Sequence, residues 1–451
     1  MVFKKKLSAL KVPHNKHTAG IPSVRVAPPK EVLLPMSMHA GAPSVPVVAV
    51  GDYVRVGQEI GRADGRFGCP VHATVSGTVT AIGPYQQADG STVTVIRIES
   101  DGKMERDPNL KKPEVHDLDE FLAAIQSSGI VGLGGAAFPL WGKLDAVRRN
   151  KIDTVLINGA ECKPYITSDH RTMVEHSDLV VKGVAVLKEW VKAERFVIGI
   201  ENNKPDAIAE MKRVFADDPA VEVMELKSIY PQGAKQVLLY NVTGKVVKGG
   251  QRLASLGVII INITTLAKMA QFMEDGTPLI DRCVTVDGSA VAEPKNIVVP
   301  VGTPMKYLIE QAGGLSTEPG KILIGGPMLG VAVQSLEEPI QKATNAVLAF
   351  NQKESRLFQA TDCIHCGRCV ANCPVSLNPT AIDKAMRMED EDARAALLKA
   401  ESLKQCIECA CCSYVCPAHR PLMETNKQAK RFLRKYDAAK KEREGDVACK
   451  S

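Results

Sequence analysis

Hydrophobic and polar positions alternate with period two in two stretches near the N-terminus. These are Gly51-Asp52-Tyr53-Val54-Arg55-Val56-Gly57-Gln58-Glu59-Ile60-Gly61 and Pro70-Val71-His72-Ala73-Thr74-Val75-Ser76-Gly77-Thr78-Val79. Such alternation turns one face of a strand to a core and the other to water, and each stretch predicts a short β unit. Further along, the period switches back and forth. Leu118–Ser127 has a helical period, Asp153–Asn158 and Arg195–Ile200 read as buried strands, Pro205–Phe215 as a helix and Val221–Leu226 as a third strand. Strands alternating with helices over residues 115–275 predict an α/β layer with a largely parallel sheet. Pro379–Lys404 is rich in Ala, Met, Leu and charge, with apolar residues at helical spacing, and predicts a helical connector. Lys427–Arg443 spaces Phe432, Leu433 and Tyr436 helically among positive charges. The longest apolar stretch, Leu256–Ile263, is less than half of a bilayer crossing, so no membrane span is predicted.

A chain of 451 residues has room for about three domains. Its 45% hydrophobic and 24% charged residues are the balance of a folded protein. Charge placement says more than the net +6. Residues 1–30 carry seven basic and no acidic side chains, residues 427–451 are net +5, and the 396 residues between are net −6. Basic ends on an acidic body fit docking on an anionic membrane surface or acidic partner; two solvated tails fit equally. Nucleic-acid binding is disfavoured, because aromatics are only 4% and the basic ends lack aromatic interleaving. The N-terminus lacks the apolar core of a secretory signal, which predicts a cytoplasmic location.

Cysteine usage changes the picture most. Nine of thirteen cysteines fall within residues 363–416, as Cys363-x2-Cys366-x2-Cys369-x3-Cys373-Pro374 and Cys406-x2-Cys409-x2-Cys412-x3-Cys416-Pro417, with Cys411 off the spacing. This repeated run is that of bacterial ferredoxins holding two 4Fe–4S clusters, in which the last cysteine of each run serves the other cluster. The expected ligand sets are Cys363, Cys366, Cys369 and Cys416 for one cluster, and Cys406, Cys409, Cys412 and Cys373 for the other. Zinc also takes paired cysteines, but two complete four-cysteine runs ending in Cys-Pro favour iron–sulfur. Two clusters carry single electrons, so the rest of the chain must supply them.

The paired β units look like the sandwiched hammerhead of biotinyl and lipoyl domains, which expose a modified lysine at the hairpin between the halves. Here that hairpin, Arg62–Cys69, has no lysine, and the module is expected to be structural. Within the α/β region, Gly129-Ile130-Val131-Gly132-Leu133-Gly134-Gly135-Ala136-Ala137-Phe138-Pro139 clusters glycines whose backbone N–H groups can approach an anion, with Lys143 close enough to add charge. It has neither Rossmann nor Walker spacing. A second loop, Asn158-Gly159-Ala160-Glu161-Cys162-Lys163-Pro164-Tyr165, leaves the carboxyl end of a strand, where ligands of open α/β sheets collect.

These two loops together with paired clusters resemble the flavin site of the NADH-oxidising subunit of respiratory complex I. Closer still is the resemblance to the RnfC family of the Rnf electron-transport complex, extending from about residue 12 to 425. Its marks are Met38-His39-Ala40-Gly41-Ala42-Pro43, Gly134–Pro139 with Lys143, Asn158-Gly159-Ala160-Glu161, Tyr230-Pro231-Gln232-Gly233, Gly325-Gly326-Pro327-Met328 and the double cysteine run. The resemblance implies a multidomain α/β and α+β chain. Expected in order are a basic N-terminal arm (1–35), a hammerhead-like β module (36–110), an α/β domain for FMN and NADH (115–275), a β-grasp module (276–345), a two-cluster ferredoxin-like helical domain (355–425) and a basic tail (426–451).

The resemblance also implies roles. Gly132, Gly134 and Gly135 pass under the FMN phosphate and ribityl chain, with Lys143 as charge partner. Asn158 and Glu161 contact the flavin, Phe138 stacks on the nicotinamide nucleotide, and Asn262, Thr264 and Thr265 match a later flavin-contacting stretch. The chain departs from the complex I protein at three places: Lys163 stands for an acid, Gly233-Ala234-Lys235 for Gly-Glu-Glu, and Leu133 for an arginine. The implied activity is exchange of electrons between NADH or NAD⁺ and FMN, then through two 4Fe–4S clusters to membrane partners and ferredoxin, coupled to Na⁺ or H⁺ movement. Implied partners are ferredoxin-like and integral membrane subunits, with the chain peripheral on the cytoplasmic side of the membrane. Two other readings stay open: a soluble flavin and iron–sulfur cobalamin reductase, and an electron-transfer adaptor without a working flavin site.

Overall fold

The computed structural model describes residues 9–248 and 251–448. These described residues form two compact units: Pro13–Ser228 with Leu253–Arg356, and a smaller one made of those that fall within Met1–Val12, Ile229–Arg252 and Leu357–Ser451.

In the larger unit, the alternating stretches build two small antiparallel sheets. One orders Glu31–Pro35, Thr92–Ser100, Gly77–Gln86 and Tyr53–Val54; the other orders Val45–Pro46, Glu59–Arg62 and Val71–His72. Val54, Ile60, Val71 and Val79 enter a shared core with Val32, Leu34, Ile96 and Ile98, while Thr78 and Thr80 face water. Gly77 has φ +153, and a Cβ there would lie 1.9 Å from the Glu99 carbonyl oxygen, so the long strand enters the sheet through a residue that must be glycine. The lysine-free hairpin is anchored rather than projecting. Trp141 Nε1 donates to the Gly68 carbonyl at 3.0 Å, and the Phe67 and Phe138 rings lie 5.0 Å apart.

The parallel sheet orders Val221–Leu226, Arg195–Glu201, Thr154–Gly159 and Val258–Asn262. Three of these match the expected strands. The fourth is the apolar run noted above only for its length, which is how a strand buried on both faces reads. Parallel register sets Asn158 opposite Asn262, so two loops leave neighbouring strand ends side by side. Helices Ser168–Glu175 and Ile263–Asp275 start just beyond those ends.

A six-stranded mixed sheet completes the unit, ordered Val24–Arg25, Lys295–Pro300, Asp281–Asp287, Ala346–Asn351, Pro319–Ile324 and Val331–Ala332, with helix Met305–Gln311 packed on it. The β-grasp sheet therefore runs past residue 345 and takes an edge strand from the N-terminal arm. That arm is not a free basic tail. The Lys16 amine is buried and donates to the carbonyls of Glu161 at 2.8 Å, Lys163 at 2.9 Å and Ile166, and Arg25 pairs with Asp281 at 2.7 Å. Lys16 is thus unavailable to a membrane surface; Lys4, Lys5 and Lys6 lie outside the described residues.

In the smaller unit the expected connector is two helices, Pro379–Ala385 and Glu391–Ala400. Asp390 accepts from the N–H groups of Asp392 at 2.8 Å and Ala393 at 3.0 Å, and this N-cap starts a new helix where apolar spacing alone would continue the old one. The apolar tail residues, open in sequence to a membrane, a partner or a solvated helix, turn inward on helix Leu422–Ala448: Leu433 is buried with Leu398 and Leu403, Phe432 lies under the Arg394 guanidinium at 4.8 Å, and Tyr436 bonds Asp392. Their apolar surface is already used in packing. Among the described residues, no helix is long and apolar enough to cross a membrane.

Candidate functional site

The glycine loop closes on itself. Gly132 N donates to Phe138 O at 2.9 Å, Ala137 N donates to Gly132 O at 3.1 Å, and Val131 bridges Pro139. Gly134, Gly135 and Ala136 stand out at the crest, exposed, and among the described residues no acceptor pairs with their N–H groups. Gly135 has φ +107, a conformation side chains resist, and it aims this backbone outward. Unpaired N–H groups on an exposed crest are what a phosphate-bearing cofactor needs. The loop is held from behind: Leu133 N donates to Thr265 Oγ1 at 2.9 Å, and Leu133 O accepts from Arg282 Nη2 at 3.3 Å. Arg282 is fully buried, and its Nη1 has no hydrogen-bond partner.

The structure brings the expected residues to one place but divides their work. Asn262 caps helix Ile263–Asp275 through Thr265 N and donates to Asp169 Oδ2 at 2.7 Å, beside Gly134. Thr264 and Thr265 are buried; Thr264 donates to Asp169 Oδ1 at 2.6 Å, so both act by holding the loops. Glu161, at φ +48, accepts from the N–H groups of Asp169 at 2.6 Å and His170 at 3.3 Å, with the Lys16 amine 4.0 Å away. Burial pushes the Glu161 carboxyl up and the Lys16 amine down. Asn158 turns the strand end by accepting from Ala160 N at 3.2 Å. Phe138 packs on Phe67. The Lys143 amine donates to the Ile260 carbonyl at 2.8 Å, whereas the Lys163 amine reaches Gly134 O at 3.4 Å.

Sequence reasoning missed Asp169, Arg282 and Lys16. For Asp169 a signal existed: Ser168-Asp169-His170-Arg171-Thr172 is an unbroken polar run that the fold buries whole. A lone arginine inside strand Asp281–Asp287 gave none.

In the smaller unit the two cysteine runs repeat in backbone as well as in spacing. The second residue after the first cysteine, His365 or Glu408, is left-handed, as is the fourth, Gly367 or Ala410, and so is the third residue after the last cysteine, Ser376 or His419. Short helices Arg368–Ala371 and Cys411–Tyr414 follow at the same offset. Cys363, Cys366, Cys369 and Cys416 line one cavity of about 100 Å³, and Cys373, Cys406, Cys409 and Cys412 line another of about 20 Å³, with Cys411 beside them. Each cavity thus takes its fourth cysteine from the other run. Among the described residues no three His, Cys, Asp or Glu side chains converge as a single-ion site requires. Donors already face these sulfurs: Leu377 N lies 3.2 Å from Cys373 Sγ, and Asn426 Nδ2 lies 3.5 Å from Cys406 Sγ. The Tyr230 hydroxyl donates to the Cys409 carbonyl at 2.8 Å, joining the Tyr-Pro-Gln-Gly stretch to the second run.

Fold and donor sets define a flavin- and iron–sulfur-binding electron-transfer protein. Residues 7–103 match the RnfC barrel sandwich hybrid domain, 125–271 the Nuo51 FMN-binding domain, 283–332 the SLBB domain and 359–420 the 4Fe-4S dicluster domain. The chain is 40% identical over 82% of its length to the C subunit of the Na⁺-translocating ferredoxin:NAD⁺ oxidoreductase complex of Acetobacterium woodii, covering 84% of that protein. It is 40% identical over 81% of its length to the C subunit of the proton-translocating ferredoxin:NAD⁺ oxidoreductase complex of Clostridium ljungdahlii, covering 81% of it. It is 35% identical over 84% of its length to the C subunit of the ion-translocating oxidoreductase complex of Rhodobacter capsulatus, covering 75% of it. The chain belongs to this family, the C subunits of ion-translocating oxidoreductase complexes.

Proposed function

We propose that the chain is the peripheral subunit of an Rnf-type complex through which electrons pass between NADH or NAD⁺ and two 4Fe–4S clusters by way of FMN, coupled to Na⁺ or H⁺ translocation. Bound FMN supplies the exchange between a two-electron hydride and the single electrons that clusters carry. The Gly134–Ala136 crest holds the flavin by its backbone N–H groups, and Thr265, Asn262 and Arg282 keep that crest in shape. Glu161 positions the second loop from beneath by fastening it to the helix that begins at Ser168. Cys363, Cys366, Cys369 and Cys416 hold one cluster; Cys406, Cys409, Cys412 and Cys373 hold the other. We assign the domains as the sequence suggests, with the β-grasp module extended to Asn351 and Ile229–Arg252 grouped with the smaller unit. The partners are the complex's ferredoxin-like and integral membrane subunits, and the chain sits on the cytoplasmic side of the membrane.

The observation that carries this reading is the swapped fourth cysteine in each cavity, on a chain that also carries a glycine crest with unpaired N–H groups. Anaerobic reconstitution followed by iron, sulfide and flavin analysis tests it. The expected content is two four-iron clusters and one FMN per chain; clusters without retained flavin would leave only the wire.

A further inference from the structure

Lys163 stands at the position where the complex I protein has an acid, and the fold gives it a defined place. Three features hold it. Its carbonyl accepts from the buried Lys16 amine at 2.9 Å. Its aliphatic stem passes Gly326 so closely that a Cβ there would lie 3.2 Å from Lys163 Cβ and 3.3 Å from Cδ. Its amine ends at the glycine crest, 3.4 Å from Gly134 O and 3.1 Å from where a Gly135 Cβ would stand. Among the described residues no carboxylate lies within ion-pair distance of that amine. The Lys143 amine, by contrast, donates to the Ile260 carbonyl at 2.8 Å.

We propose that Lys163, aligned by Gly326, is the cation that recognises a phosphate ester at the glycine crest. An unneutralised ammonium beside unpaired backbone N–H groups is a site for a phosphate oxyanion, combining point charge with directed donors. A Cβ at Gly326 presses on both the lysine stem and Ile166 Cδ1, each at 3.2 Å, and a branched side chain there adds to that pressure. The inference rests on the flavin reading above and names the residue that reads the phosphate there. Two ligands bring such an ester, the FMN phosphate and the pyrophosphate of the dinucleotide.

The test compares ligands that differ only in phosphate, using the reconstituted full-length chain. FMN is titrated against riboflavin, and ADP against adenosine, for the wild type, Lys163→Gln, Gly326→Val and Lys143→Gln. Lys163→Gln is expected to weaken one phosphorylated ligand about tenfold while leaving its dephosphorylated counterpart unchanged. The pair that responds identifies the ester, and Gly326→Val shifts the same pair. Equal affinities of wild type and Lys163→Gln in both pairs, or loss of FMN preference only in Lys143→Gln, overturn the proposal. If wild type binds neither FMN nor riboflavin, it is the flavin reading itself that has failed.

Discussion

Thr265 Oγ1 accepts the N–H of Leu133 at 2.9 Å, so the glycine loop hangs from the first turn of helix Ile263–Asp275. Thr265→Val keeps the shape but leaves a buried N–H without an acceptor, a loss of about 1–3 kcal/mol. Flavin titration should show FMN and riboflavin weakened by similar factors, because the loop's shape changes and its charge does not. Thr265→Ser should restore both. Unchanged affinity in Thr265→Val would mean that the loop is shaped without this bond.

The exchange of fourth cysteines predicts a pattern of iron loss. Cys416→Ser should cost the cluster held by Cys363, Cys366 and Cys369, so Cys366→Ser combined with Cys416→Ser should lose no more iron than either single variant. Cys366→Ser combined with Cys373→Ser should deplete both sites. Iron counts and cluster spectra read this directly, and the reverse pattern would assign each run to its own cluster.

Leu433 is buried against Leu398 and Leu403, on the helix that also carries Asn426 to Cys406. Leu433→Ala should destabilise the smaller unit by about 2–4 kcal/mol and speed iron loss from the cavity containing Cys406. If iron retention is unaffected, the tail helix is not part of that cavity's support.

How much of this could be read from the sequence depended on the range of the interactions. The cysteine repeat was legible because ligand spacing is set by the cluster, and the left-handed residues at matched offsets follow from the same local demand. Strands Thr154–Gly159, Arg195–Glu201 and Val221–Leu226 were legible because each is bounded by turn residues. Which lysine amine ends at the glycine loop was not. Lys143 is nearer in sequence, but the partner of its amine is a carbonyl on another strand, and Lys163 arrives from a loop that the buried Lys16 supports. The tail followed the same logic. Helical spacing of Phe432, Leu433 and Tyr436 gave the helix but could not say whether membrane or protein covers its apolar side.

Acid sensitivity should trace to two histidines. Both ring nitrogens of His39 and Nδ1 of His72 are buried from water. Burial, with the Lys342 ammonium nearby, lowers His39 to about 4 and His72 to about 3. The fold therefore keeps both rings neutral, while the unfolded chain protonates near its ordinary value of about 6.5. The sign follows: this stability is fully present above that value and is lost as pH falls toward the folded values. Denaturant midpoints followed through Trp141 and Trp190 should drop across that window, and His72→Gln should flatten the slope. A midpoint independent of pH there would contradict the assignment.

If one chain joins NADH to a pair of clusters through a flavin, electrons from NADH must reach both cofactors. Anaerobic titration of the reconstituted protein with NADH, followed by absorbance, tests it most directly. Flavin absorption is expected to bleach, and cluster absorption to fall with it. Clusters that dithionite reduces while NADH leaves them oxidised, on a chain retaining no flavin, would contradict it.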